Sequence, residues 1–116
     1  MKRAYDDPEP DDGLRILVDR LWPRGVSKER LQLDEWLKEL SPSGELRKKF
    51  HREPANFEEF KTDYFKELRE RKELADRLRR QAREQTVTLI YAAKNEEQNN
   101  AVALKEFLEE KVNKSS

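Results

Sequence analysis

A chain of 116 residues has room for one domain, 1–116, of a size that buries about 65% of the surface its unfolded form exposes. Its 25 basic and 25 acidic side chains cancel, which excludes a global field drawing the protein onto nucleic acid or an anionic membrane. The lack of cysteine excludes a disulfide framework, a thiolate nucleophile and a Cys-based zinc site, and no apolar run is long enough for a signal peptide or a membrane span, so the expected compartment is the cytoplasm. Charged residues reach 43%, close to disordered chains, but five Phe, three Tyr and two Trp on a periodic apolar pattern argue for a folded core.

From the amino terminus, Lys2 to Tyr5 reads as a short strand, followed by an acidic stretch broken by Pro8, Pro10 and Gly13 that reads as a loop. Leu14 to Val18 and Thr86 to Ala93 are apolar without strict alternation, the pattern of strands buried on two faces, so they are expected to form a parallel pair covered by helices. Directly after the first of them, Asp19-Arg20-Leu21-Trp22-Pro23-Arg24-Gly25 packs charge, an aromatic ring and a Pro-Arg-Gly turn into seven positions. Proline fixes one backbone angle and glycine frees another, leaving Arg24 held between them in a loop that presents side chains.

Helical patterns fill the next 65 or so residues. Leu33, Trp36, Leu37 and Leu40 fall at i, i+3, i+4 and i+7, which predicts a helix. Ser41 as cap and Pro42 as first residue then open a second helix, with Leu46 and Phe50 inward, that ends before Pro54, where a third begins. Phe57, Phe60, Tyr64, Leu68, Ala75, Leu78 and Ala82 keep the helical period over a span longer than most globular helices, so a break is expected near Arg71 to Glu73. Asn95, three residues before Gln98, reads as a cap for a final helix carrying Ala101, Val102, Leu104, Phe107, Leu108 and Val112, with Asn113 to Ser116 frayed. The expected fold is α/β: a small, mainly parallel sheet of two to three strands surrounded by about five helices in Rossmann-like layering.

Parallel strands joined by a helical crossover have their carboxyl ends on one edge, where open α/β sheets bind ligands. That edge receives Asp19, Arg20 and Arg24 from one strand and Lys94 and Asn95 from the other. Three of these are cations, and the amino-terminal dipole of the last helix also points there, which favours phosphate or carboxylate, although Glu96 and Glu97 in its first turn partly cancel this. Asp19 is a candidate general base; the alternative is a salt-bridge partner of Arg20 and Arg24 that holds the loop. His51, the only histidine, is the other candidate for moving a proton, against a structural role at a helix end. No second histidine exists to build a metal site, and no glycine-rich loop suggests a cofactor. Trp36 is expected in the core, Tyr91 packed on its strand, and Trp22 either lids a ligand or plugs the core beneath its loop.

Leu17-Val18-Asp19-Arg20-Leu21-Trp22-Pro23-Arg24-Gly25, Leu33-Asp34-Glu35-Trp36, Glu45-Leu46-Arg47-Lys48 and Leu89-Ile90-Tyr91-Ala92-Ala93-Lys94-Asn95 together resemble the bacterial YeaO-like family over nearly the whole chain. The resemblance implies a compact α/β domain of unknown function with the DRLWPRG and AAKN segments as signatures. Members tend to begin a few residues earlier, which implies a first strand cut short at Met1. Family members often carry Asp at the position of Asn95 and His at that of Gln98; the amides here imply capping or ligand orientation instead of proton transfer.

The reading is a small-anion or phosphorylated-metabolite site formed by Asp19, Arg20, Trp22, Arg24, Lys94, Asn95 and Asn99. If the protein is an enzyme, Arg24 and Lys94 hold the anion while Asp19 or His51 moves a proton. The alternative is a nucleic-acid or protein binding module. Residues 66–83 hold eight basic against four acidic side chains, and Arg69, Lys72, Arg79, Arg80 and Arg83 can share one helix side. The interleaved Glu67, Glu70, Glu73 and Asp76 point to a solvated face instead. Phe57 and Phe65 are the hints of an exposed apolar patch.

Overall fold

The computed structural model describes residues 1–52 and 56–114. At its centre lie the two apolar runs, β2 (Leu14–Leu17) and β4 (Val87–Tyr91), paired in parallel with Leu14 beside Val87 and Leu17 beside Ile90. Two short edge strands complete the sheet: β1 (Lys2–Arg3) on β4, and β3 (Glu35–Trp36) on β2, in the order β1-β4-β2-β3, all parallel. The sheet therefore has four strands, one or two more than the sequence pattern suggests.

The extra strand is β3, and it replaces the front of the helix expected over 33–40. The ladder with β2 is continued on either side, by Asp34 N–H to the Arg15 carbonyl and Leu37 N–H to the Leu17 carbonyl, both 2.9 Å. Only Lys38–Leu40 turns helically, as one 3-10 turn. The apparent stripe splits across the sheet: Leu33 and Trp36 pack with Leu17, Leu31 and Ile90 on one face, and Leu37 and Leu40 join the core on the other. Trp36 is half-buried rather than fully interior. Neighbours on opposite faces are the mark of extended chain.

The two faces are covered unequally. The short helix α1 (Lys28–Leu31) and the loops holding Trp22 and Leu33 cover one. Helices α2 (Gly44–Arg52), α3 (Phe57–Arg69), α4 (Lys72–Glu84) and α5 (Asn100–Lys114) supply the larger core on the other, around Ile16, Val18, Leu89 and Tyr91. The cap of α2 is Ser43, whose hydroxyl accepts from Leu46 N–H, instead of Ser41; Ser43 is held there by Glu67 of α3, which accepts from both its backbone N–H and its hydroxyl. The expected start of a helix at Pro54 lies outside the described residues. The break between α3 and α4 falls at 70–71, at the start of the region expected from sequence; within α4, Ala75 and Leu78 are buried and Ala82 is exposed. Helix α5 runs through Asn113 and Lys114, which the fraying expectation had left out of it; residues 115–116 lie outside the described ones. Phe57 is buried and Phe65 packs on Phe107 at 5.2 Å between ring centres, so neither forms an exposed patch.

The buried Tyr64 hydroxyl on α3 donates to the Leu40 carbonyl and ties the 3-10 turn to the helical layer. Burial pushes its phenol well above the ordinary range. Tyr64→Phe leaves that carbonyl without its donor, so a loss of about 1–3 kcal/mol in a urea titration is expected; an unchanged midpoint would show that water replaces the bond.

Candidate functional site

Val18 N–H still bonds the Ile90 carbonyl beyond the end of β2, after which the chain leaves the sheet at Asp19. Local bonds shape the loop that follows. Trp36 donates its indole N–H to the Asp19 carbonyl at 2.7 Å, and Trp22 donates its own to the Val26 carbonyl at 2.5 Å. Val26 N–H meets the Pro23 carbonyl at 3.4 Å across Arg24 and Gly25, with Gly25 at φ 79°, the left-handed angle that a type II turn needs at that position. Tyr5 donates its hydroxyl to the Arg24 carbonyl. Pro23 is buried beneath the turn, which leaves Arg20, Leu21 and Arg24 exposed.

This loop forms one wall of a cleft of about 440 Å³ at the carboxyl edge of the sheet. The opposite wall comes from α2 and α3 through Arg47, Phe50, His51 and Phe60, and the floor from Ala92, Ala93, Asn99 and Asn100. Of the residues expected from sequence, Asp19, Arg20, Trp22, Arg24, His51 and Asn99 line it together. Lys94 and Asn95 do not; both sit exposed in the connection from β4 to α5. Asn95 Oδ1 accepts from Glu97 and Gln98 N–H, each at 2.9 Å, so it caps a turn before the helix, and the helix cap is Asn99, which accepts from Val102 N–H at 2.9 Å. Glu96 and Glu97 consequently precede α5, whose first turn carries no acid to offset its dipole.

Asp19 has different partners from those its sequence neighbours suggest. Its carboxylate accepts from Ala92 N–H at 2.9 Å and from the Asn100 side chain at 3.0 Å, and Asn100 also donates to the Val18 carbonyl. Burial raises its pKa above the ordinary carboxylate value, and the Asn100 bond, the Ala92 N–H and the positive charge of Arg47 only partly offset this. Trp22 packs on the smaller core, edge-on to Trp36 at 5.4 Å, and also lines the cleft. Tyr91 is buried.

Three guanidiniums, those of Arg20, Arg24 and Arg47, line this one cleft, and none has an ion-pair or hydrogen-bond acceptor among the described residues. By contrast the guanidiniums of Arg3, Arg15, Arg30, Arg77 and Arg79 all donate to acceptors. Arg47 and Asn100 are polar lining residues that sequence reasoning missed. Signals for both existed: Arg47 falls within the Glu45 to Lys48 segment of the family resemblance, and Asn100 ends the amide-rich run after Lys94. Among the described residues no group of three or more His, Cys, Asp or Glu side chains is arranged to hold a metal ion.

The basic run 66–83 does not make one stripe. It spans the end of α3 and most of α4, and Arg79 turns inward at 7% exposure to donate to the Leu108 and Phe107 carbonyls and to Asp76. Arg80 and Arg83 remain exposed. No helix among the described residues is long and apolar enough to cross a membrane.

These features define a small all-parallel α/β protein with an arginine-lined cleft at the ends of its central strands. The chain belongs to the Inactive DUF488-N3 subclade, whose profile matches residues 1–116. It is 50% identical to the uncharacterized protein YeaO of Escherichia coli (strain K12) over 92% of this chain and 93% of that one. The uncharacterized proteins Rv3073c of Mycobacterium tuberculosis and Mb3100c of Mycobacterium bovis are each 39% identical to it, over 91% of this chain and 89% of theirs. The YeaO-like resemblance read from the sequence motifs is thus confirmed. No solved structure matches the chain at a significant level.

Proposed function

We propose that the protein binds a small phosphorylated or carboxylated ligand in the cleft at the ends of β2 and β4, as a binding domain and not as a catalyst. The observation that carries this reading is the set of three uncommitted guanidiniums lining one concave surface. An arginine presents five N–H donors in a rigid fork matched to phosphate and carboxylate. All three guanidiniums are exposed, so only water holds them and an anion can displace it, whereas the buried Arg15 and Arg79 are already bonded to acceptors inside the fold. The amino terminus of α5 adds a favourable dipole without acidic offset. The family's description as inactive supports leaving proton transfer out, so Asp19 and His51 have binding or structural roles in this reading.

Titration of inorganic phosphate and ribose 5-phosphate into isotope-labelled protein, followed by two-dimensional NMR, tests it. Saturable shifts at Arg24, Asn99 and Asn100 are expected. Arg24→Ala removes charge-assisted hydrogen bonds and is expected to weaken binding by about tenfold to a hundredfold. Arg80→Ala, on the exposed side of α4, is expected to leave it unchanged. The reverse pattern would transfer the anion site to α4 and favour a nucleic-acid partner; equal binding by both variants would remove both readings.

A further inference from the structure

We infer that the ligand of this cleft is a mononucleotide: a phosphate joined to a flat ring that carries an N–H donor. This rests on the anion-binding reading above and narrows it. Three properties of the same cleft lead there.

The first is its apolar lining. Leu21 and Trp22 enter from the loop after β2, and Pro42, Phe50 and Phe60 from the opposite wall. A bare phosphate or a sugar phosphate has nothing to place against these groups, whereas a nucleobase buries its faces on them. Leu21 stands 65% exposed at the rim, within reach of a ring held in the cleft.

The second is size. About 440 Å³ lies within the range of sites that enclose ligands of a few rings, and well beyond what one inorganic anion fills.

The third is Asp19. A carboxylate only accepts hydrogen bonds, with about four lone-pair positions, and two are used by Ala92 and Asn100. Set in the same cleft as Arg20, Arg24 and Arg47, it repels a simple anion while the arginines attract it. The arrangement therefore selects a two-ended ligand, with a donor for Asp19 at one end and negative charge for the guanidiniums at the other. An amino-bearing nucleobase and its phosphate have these two ends, and the apolar lining favours the base over the hydroxyls of a sugar phosphate, which have the same two ends but no flat face.

The experiment compares adenosine monophosphate, ribose 5-phosphate and inorganic phosphate on the intact chain by NMR and by tryptophan fluorescence. The nucleotide is expected to bind at least about tenfold more tightly than ribose 5-phosphate, because stacking adds to the phosphate contacts, and to shift the Trp22 indole, which ribose 5-phosphate leaves in place. Equal affinities would overturn this inference while leaving the anion site intact; no binding by any of the three would overturn both. Asp19→Asn gives a second, independent reading. It is expected to weaken the nucleotide, whose ring amino group is held on the carboxylate by stacking, and to tighten ribose 5-phosphate, for which the lost repulsion outweighs any hydroxyl bond to Asp19. Tightening of both ligands would show that Asp19 does not read the ring. Should the variant fail to fold, the three-ligand comparison on the unaltered chain still decides the inference.

Discussion

Asp12→Ala is expected to lower the unfolding free energy by about 3–5 kcal/mol, the cost of leaving a buried charge without its partner. Arg15 lies on β2 with its side chain among the smaller of the two cores, at 4% exposure. Its Nε and Nη2 donate to the Leu31 carbonyl at 3.0 and 2.9 Å, and its Nη1 meets Asp12 at 2.5 Å. Asp12 also accepts from Glu9 N–H and from Lys2 Nζ, so one carboxylate ties β1, the 3-10 turn Pro10–Asp12 and β2 together. Removing it leaves a guanidinium that cannot reach water and is bonded only to one carbonyl. Replacing both residues, as Asp12→Ala with Arg15→Met, is expected to recover much of the loss, because an apolar side chain of similar length leaves no charge buried. A single variant as stable as the original in urea would show that Arg15 finds solvent. The same pair sets an acid limit. Burial alone would raise the Asp12 pKa, but Glu9 N–H, Lys2 and Arg15 outweigh it and hold the carboxyl below its ordinary value. The unfolded chain then takes up the proton first as pH falls, so this contribution is complete above the unfolded value and is lost as pH drops through the folded one. Asp12→Ala is expected to flatten that part of the stability profile.

The two central strands were legible because Leu14 to Val18 and Val87 to Tyr91 are buried on both faces, and such strands carry their signal in their own composition. β3 carries none: Glu35–Trp36 is two residues long, and what makes it a strand is β2 beside it. The helical spacing of Leu33, Trp36, Leu37 and Leu40 arises from two pairs that serve opposite faces, and spacing alone cannot tell one stripe from two half-stripes. Ser41 and Ser43 are equally good caps by type. Glu67, twenty-four residues away, decides between them.

The cleft divides in the same manner. The loop from Asp19 to Gly25 announced itself through Pro23 and Gly25, and the edge it occupies followed from parallel topology. The partners of Asp19 did not, because sequence proximity suggests Arg20 and Arg24, whereas the atoms that bond it belong to Ala92 and Asn100, 73 and 81 residues distant. Asn95 was read as the cap of the last helix and Asn99 as a ligand-site residue, but the helix starts at Asn100 with Asn99 as its cap, Asn95 caps only the turn before it, and the four-residue displacement carries Lys94 away from the cleft.

The last expectation concerns a glycine whose neighbours leave no space. Gly13 joins the 3-10 turn to β2 at φ 64° and ψ −131°, a combination that side chains other than glycine's adopt only under strain. A Cβ there would lie 2.2 Å from the Thr86 carbonyl oxygen. That oxygen accepts the Leu14 N–H at 2.9 Å, the bond that begins the β2–β4 ladder, so the clash can be relieved only by pulling the two central strands apart where their pairing starts. Gly13→Ala is therefore expected to cost about 3 kcal/mol or more, backbone strain and overpacking together. Gly25 separates the two contributions. Its φ of 79° is also left-handed, but a Cβ there meets open space, so Gly25→Ala is expected to cost about 1–2 kcal/mol, the strain alone. Urea midpoints for the two variants measure the difference directly. If they coincide, Thr86 gives way without disturbing the ladder, and the registry of β2 against β4 is then fixed by Ile16, Leu17, Leu89 and Ile90 in the core instead of by the turn that leads into it.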